Sequence, residues 1–205
     1  PDVRKAEVLM ELTEGGNDMV RNLLRVMVEK EREGEVAAVH RAFDIAAHPR
    51  VQSLSFGLMD FVSAHGGAIP ADAMSSSGQF THPLVVRAKL EIAAACHAHG
   101  KVPSHGVVTE FTDGAALQAA ATRAARELGY TRMWSIHPAQ IRPILAAFAP
   151  NEREIERASS IIEAAVHAEW APIQYDNQLH DRASYRYFWQ VIERAHQTGR
   201  PLPDT

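Results

Sequence analysis

From residue 80 onward apolar positions recur at helical spacing, broken at regular intervals by short apolar runs. Pro83 stands where a first helical residue belongs, and Val85, Ala88, Ile92 and Ala95 form one stripe that stops at Gly100. A short apolar run, Gly106 to Thr109, predicts a strand. Asp113 then reads as an N-cap for a second stripe, Leu117, Ala120, Ala121, Ala124 and Leu128, which ends at Gly129. Tyr130 to Ile136 predicts another strand, and Pro138 to Phe148 another helix. Helix and strand alternate with a period of about 30 residues, the rhythm of parallel βα units.

Beyond Pro150, Asn151 and Glu154 have capping-box spacing, and Ile155, Ala158, Ile162 and Ala165 give that helix its buried face. In "APIQYDNQLHDRASYRYFWQVIERA" the first half reads as a loop and the second as a helix. Residues 200–205 read as a frayed tail. Upstream, Val8 to Leu12 predicts a short strand, Asp18 to Glu33 and Val36 to Ala47 predict helices, and Val51 to Phe56 a strand running into Gly57. Three regions result: a mostly helical 1–50, a βα segment 51–150, and a helix with a lid-like extension 151–205.

Composition narrows the function classes. The 205 residues are 46% hydrophobic and 22% charged with net charge −4, an ordinary globular balance with no basic footprint for nucleic acid. No apolar run is long enough for a membrane span. The single cysteine, Cys96, has no internal disulfide partner and suits a reducing cytoplasm. "CHAHG" with His105 invites a zinc reading, but His97 and His99 lie two positions apart on a helix and face apart.

Two stretches carry candidate chemistry. "SLSFGLMDF" runs a strand into Gly57 and then Asp60, and in a parallel barrel the C-terminal strand ends face the site. A carboxylate there suits a hard cation, which prefers oxygen ligands. "YTRMWSIHPAQIRPI" ends a strand abruptly in His137-Pro138, a strand-to-helix corner at the same rim. Each alone also reads as a turn with a capping residue; their convergence is what points to a site.

Together, "LSFGLMDF" and "YTRMWSIHPAQIRPILAAFAPNEREIERASSIIEAA" resemble the citrate lyase β-subunit-like family within the wider HpcH/HpaI aldolase group, over roughly residues 37 to 170. The resemblance implies a (β/α)8 TIM barrel with a C-terminal helical lid, in a trimer or hexamer. It implies a Mg2+-dependent lyase that cleaves a β-hydroxyacyl-CoA thioester of the citryl, malyl or citramalyl type to an acyl-CoA and a keto acid. Carried over residue by residue, Asp60 is a metal ligand and Glu11, in "VLMELTEGG", the second one. Ile136, His137 and Pro138 fall where the family binds the thioester, Gly57 lets a substrate approach the backbone closely, and Asp176 falls near the lid acid that covers a neighbouring subunit's site. The family also stabilises the developing enolate with an early-strand Arg, for which no motif stands here. With 205 residues against the roughly 250 of such a barrel, the N-terminal half is expected to be missing or rewritten. A non-catalytic, truncated relative acting as an interaction or scaffold protein is the alternative.

Overall fold

The computed structural model describes residues 34–109 and 113–203. The expected strand Val8 to Leu12, its Glu11, and the helix Asp18 to Glu33 lie outside the described residues. The chain divides into two compact units between Gln140 and Ile141.

The first unit opens with helices α1 (Gly34–His40) and α2 (Ala42–Ala47), followed by strand β1 (Ser53–Ser55) and helix α3 (Leu58–Ala64). Two 3-10 turns, Ala71–Met74 and Gly78–Phe80, lead into α4 (Pro83–Ala98), β2 (Val102–His105), α5 (Gly114–Arg126) and β3 (Arg132–Met133), and a 3-10 turn Pro138–Gln140 closes the unit. The three strands are parallel in the order β1-β2-β3, with Leu54 opposite Pro103 and Ser104 opposite Arg132. Strands separated by helices and paired in chain order are the βα arrangement that the repeat implied. The α/β class is therefore met; a closed eight-stranded barrel is not seen among the described residues.

The stripe on α4 is buried as its spacing requires, and Val85, Ala88, Ile92 and Ala95 pack with Phe61 and Val62 of α3 against the sheet. Burying a side chain of Val, Ile or Phe size stabilises by about 1.5–3 kcal/mol, so this face holds the unit together. Asp113 caps α5 by accepting from the N–H groups of Ala115 and Ala116.

Several elements differ from their sequence expectation. The strand expected at Gly106 to Thr109 lies one step earlier, at Val102–His105, and 106–109 is loop. Pro103 disguised it, since proline has no N–H to give a central strand; here its carbonyl still accepts from Thr131 N at 3.2 Å. The run 130–136 pairs only at Arg132–Met133, and Tyr130 goes into the core instead. The expected helix Val36 to Ala47 is two helices that meet at Arg41.

The second unit holds α6 (Ile141–Phe148), α7 (Glu152–His167), the hairpin β4 (Ile173–Tyr175) and β5 (Gln178–His180), and α8 (Arg182–Gln197). The capping box at α7 is complete: Glu154 N donates to Asn151 Oδ1 at 2.9 Å, and Asn151 N donates to Glu154 Oε2 at 2.8 Å. Ile161, Ile162 and Ala165 of α7 meet Tyr185 of α8 in its core. The segment expected as loop is in part this antiparallel hairpin. Its two-residue turn, Asp176-Asn177, has φ of 50° and 58°, the left-handed pair that lets a type I′ turn match the twist of its strands. Among the described residues no helix is long and apolar enough to cross a membrane.

Candidate functional site

The parallel sheet sends the chain out of β1, β2 and β3 at one edge, and the three exits form much of the wall of a cavity of about 530 Å3. Ser55 to Asp60 come from the first exit, His105 to Thr109 from the second and Trp134 from the third. Met74, Ser75, Ser76 and Gln79, from the two 3-10 turns, and Lys89 of α4 complete the lining. A crevice at the carboxyl ends of parallel strands is where α/β proteins place ligands.

Asp60 sits in the first turn of α3, exposed at the cavity, where the helix dipole favours a carboxylate. Gly57 makes room for it: a Cβ at that position would stand 3.1 Å from Asp60 Oδ2. Any side chain there would push against the carboxylate. Ser55, Ser75, Ser76 and Thr109 elsewhere in the lining carry hydroxyl oxygens, the donor type that a hard divalent cation prefers. Among the described residues no group of three or more His, Cys, Asp and Glu could hold a metal ion, so Asp60 is not part of a full ligand set there. Cys96, His97, His99 and His105 do not gather either: Cys96 is buried, and His97 Nε2 donates to the Gly129 carbonyl at 2.7 Å.

The His137 corner leaves the same end of the sheet but does not line the cavity. Ile136, His137 and Pro138 are all exposed. His137 Nδ1 accepts from Ala139 N at 3.2 Å, and its carbonyl accepts from Gln140 N at 3.0 Å, which makes it the start of the 3-10 turn. Of this motif Trp134 lines the cavity, and Gln140 braces the wall from behind through Val108. Buried at 3% exposure, it accepts from Ile136 N at 3.0 Å and donates to the Val108 carbonyl at 2.9 Å, tying the second strand exit to the third. Asp176 lies in the second unit at the exposed tip of the hairpin, where Arg157 Nη1 meets its Oδ2 at 3.2 Å. Glu11, like Glu110, is outside the described residues.

Sequence reasoning missed the most unusual part of the wall. Lys89 is 1% exposed, and its Nζ donates to Gln79 Oε1 at 2.7 Å and to His105 Nε2 at 2.9 Å. His105, also 1% exposed, has Nδ1 3.0 Å from the Gly106 carbonyl. A carbonyl only accepts, so Nδ1 carries the hydrogen and Nε2 is left to accept from lysine. The imidazole is neutral: burial, then the Lys89 charge, pulls its pKa down to about 3. Phe80 stacks on it at 5.4 Å between ring centroids, and Tyr130 meets it edge-on at 5.1 Å. Burial, then the Arg123 charge, lowers Lys89 to about 7. The available signal was Lys89 itself, four residues after Val85 on the buried face of α4, where an apolar residue was due.

No family model matches the chain. Over 182 residues, 83% of its length, it is 29% identical to an L-malyl-CoA/beta-methylmalyl-CoA lyase of Rhodobacter capsulatus, and covers 57% of that protein. It is 31% identical over 162 residues to the enzyme of the same name from Cereibacter sphaeroides, covering 73% of this chain and 50% of the relative. The chain thus spans about half the length of the curated relatives it matches. Among solved structures, a citrate lyase from Burkholderia xenovorans LB400 is 61% identical with a TM-score of 0.74, over 85% of this chain and 53% of that one. The protein CitE from Mycobacterium tuberculosis, solved with magnesium, acetoacetate and coenzyme A, shares the fold at a TM-score of 0.64 and 22% identity, over 78% of this chain and 58% of that one.

Proposed function

The chain belongs to the citrate lyase β-subunit-like family, and on that footing we propose that it carries the metal-binding half of a carbon–carbon lyase acting on a β-hydroxyacyl-CoA. The observation that carries this reading is the meeting of three parallel strand exits around one cavity with the Asp60 carboxylate on its wall. The strands are read as consecutive members of a (β/α)8 barrel, with 51–150 as its C-terminal half and 151–205 as the lid.

In this reading Asp60 and Glu11 hold Mg2+. When bound, the cation polarises the oxygen that becomes the keto group of the released acid. The chain's own groups do the remaining work. Gly57 keeps the approach to Asp60 open, and Gln140 holds the second and third strand exits in register. Ile136, His137 and Pro138 form an exposed corner that takes part of the thioester, beside the exposed indole of Trp134. Asp176, on a tightly turned hairpin braced by Arg157, serves a neighbouring subunit's site, which makes the working form a homo-oligomer, a trimer or hexamer, in the cytoplasm.

The test is turnover of malyl-, citramalyl- and citryl-CoA with and without Mg2+, followed as release of acyl-CoA and keto acid. Cleavage of at least one thioester, present with Mg2+ and lost on chelation, is the expected result. Binding of thioester with no cleavage under any condition would instead favour the non-catalytic reading.

A further inference from the structure

Lys89 is the one lysine or arginine among the described residues that line the cavity, and it is buried without a counter-charge. Both of its hydrogen-bond partners among the described residues, Gln79 Oε1 and the unprotonated Nε2 of His105, are neutral acceptors. Among the described residues no carboxylate pairs with it. The charged groups that bear on it are Arg123 of α5, a second cation whose guanidinium lies over the Phe80 ring, and Asp60 on the same cavity wall. The Tyr130 hydroxyl donates to the Lys89 carbonyl, and burial keeps that phenol protonated. A buried ammonium with only neutral partners is costly, and an anion arriving from the cavity removes the cost.

We propose that Lys89, oriented by Gln79 and His105, is a receptor for the carboxylate of a small organic acid in this cavity, and that it takes up a proton when the acid binds. Two of its hydrogens are fixed by the two acceptors, so one bonding direction remains for the ligand. The inference rests on reading the cavity as the acid-binding site of a lyase, but it does not need the metal. Because the free lysine has a pKa of about 7, at pH 8 the site is mostly neutral and must be protonated to hold the anion. Affinity is then flat below about pH 7 and falls about tenfold per pH unit above it.

The probe is oxalate, titrated calorimetrically into the chelator-treated protein at several pH values and in buffers of different ionisation enthalpy. Wild type is expected to take up close to one proton per oxalate at pH 8 and to lose about tenfold in affinity between pH 8 and pH 9. Lys89→Met should remove the proton uptake and weaken binding at least tenfold. The wild-type proton count needs no variant, so poor folding of Lys89→Met does not blunt the test. Absence of oxalate binding, binding without proton uptake, or uptake that survives in Lys89→Met (which would move the proton to His105) each overturns the proposal. Asp60→Ala separates the two readings: it should abolish Mg2+-dependent turnover and leave proton-linked oxalate binding in place. Turnover with no proton uptake sinks this inference alone, and proton uptake with no turnover sinks the lyase reading alone.

Discussion

Asp60→Ala is expected to lower Mg2+-dependent thioester cleavage about a thousandfold or more while leaving the fold almost untouched. A charged metal ligand contributes several kcal/mol to charge stabilisation in the reaction, and each 1.4 kcal/mol is a factor of about ten in rate. Stability should respond far less. Asp60 is exposed in the first turn of α3 and makes no salt bridge among the described residues. Its removal forfeits mainly its interaction with the helix dipole, about 0.3–1 kcal/mol. A melting temperature within about 3 °C of wild type, measured beside the rate, checks both halves. Asp60→Asn keeps an oxygen ligand and loses the charge, so it should fall between wild type and alanine. Equal rates for all three proteins would remove the carboxylate from the chemistry.

The second large effect is expected at a position with no side chain. Gly78 is buried in the 3-10 turn before α4, and a Cβ there would fall inside the contact radius of the Asp72 carbonyl oxygen and 2.9 Å from the Ser75 hydroxyl. The Asp72 oxygen belongs to the backbone and accepts from Ser75 N and Ser75 Oγ, so it cannot swing aside as a side chain would. Gly78→Ala therefore has to move the 72–82 segment, at about 1–3 kcal/mol as for other overpacked sites. Gln79 is the next residue, so the same shift draws its Oε1 away from Lys89 Nζ. Urea unfolding should show the loss of stability. The oxalate titration should show a weakened proton uptake even where the protein remains folded. A variant as stable as wild type would mean that the close approach at Gly78 does not constrain this turn.

How much of this was legible in the sequence depended on whether the signal was periodic. The stripes of α4 and α5, the caps Asp113 and Asn151, and the βα alternation were all visible, because each rests on local spacing. So was the Gly57-to-Asp60 corner, since a glycine after a strand and a carboxylate three residues later are adjacent in the chain. β2 was misplaced by one step because Pro103 breaks the rule for a central strand, and only the partner strands show that it still pairs. The hairpin at 173–180 was read as a loop because its strands are three residues each and mostly polar. In the site, His137 was the conspicuous residue of its motif, yet the structure gives Gln140 the contacts to the cavity wall. The Lys89, Gln79 and His105 group joins residues 10 and 16 positions apart through side-chain ends, and no spacing rule encodes that. A lysine inside an apolar stripe was the only trace it left.

The most direct measurement is a titration of the isotope-labelled protein with Mn2+ as a paramagnetic stand-in for Mg2+, read as line broadening of assigned backbone amides. Selective broadening of residues 55–60 and 106–109 at low metal ratio, absent in Asp60→Ala and reversed by excess Mg2+, is the expected result. Broadening centred elsewhere, such as on the Asp176 hairpin, or an unchanged pattern in Asp60→Ala, would contradict a metal site at the strand exits.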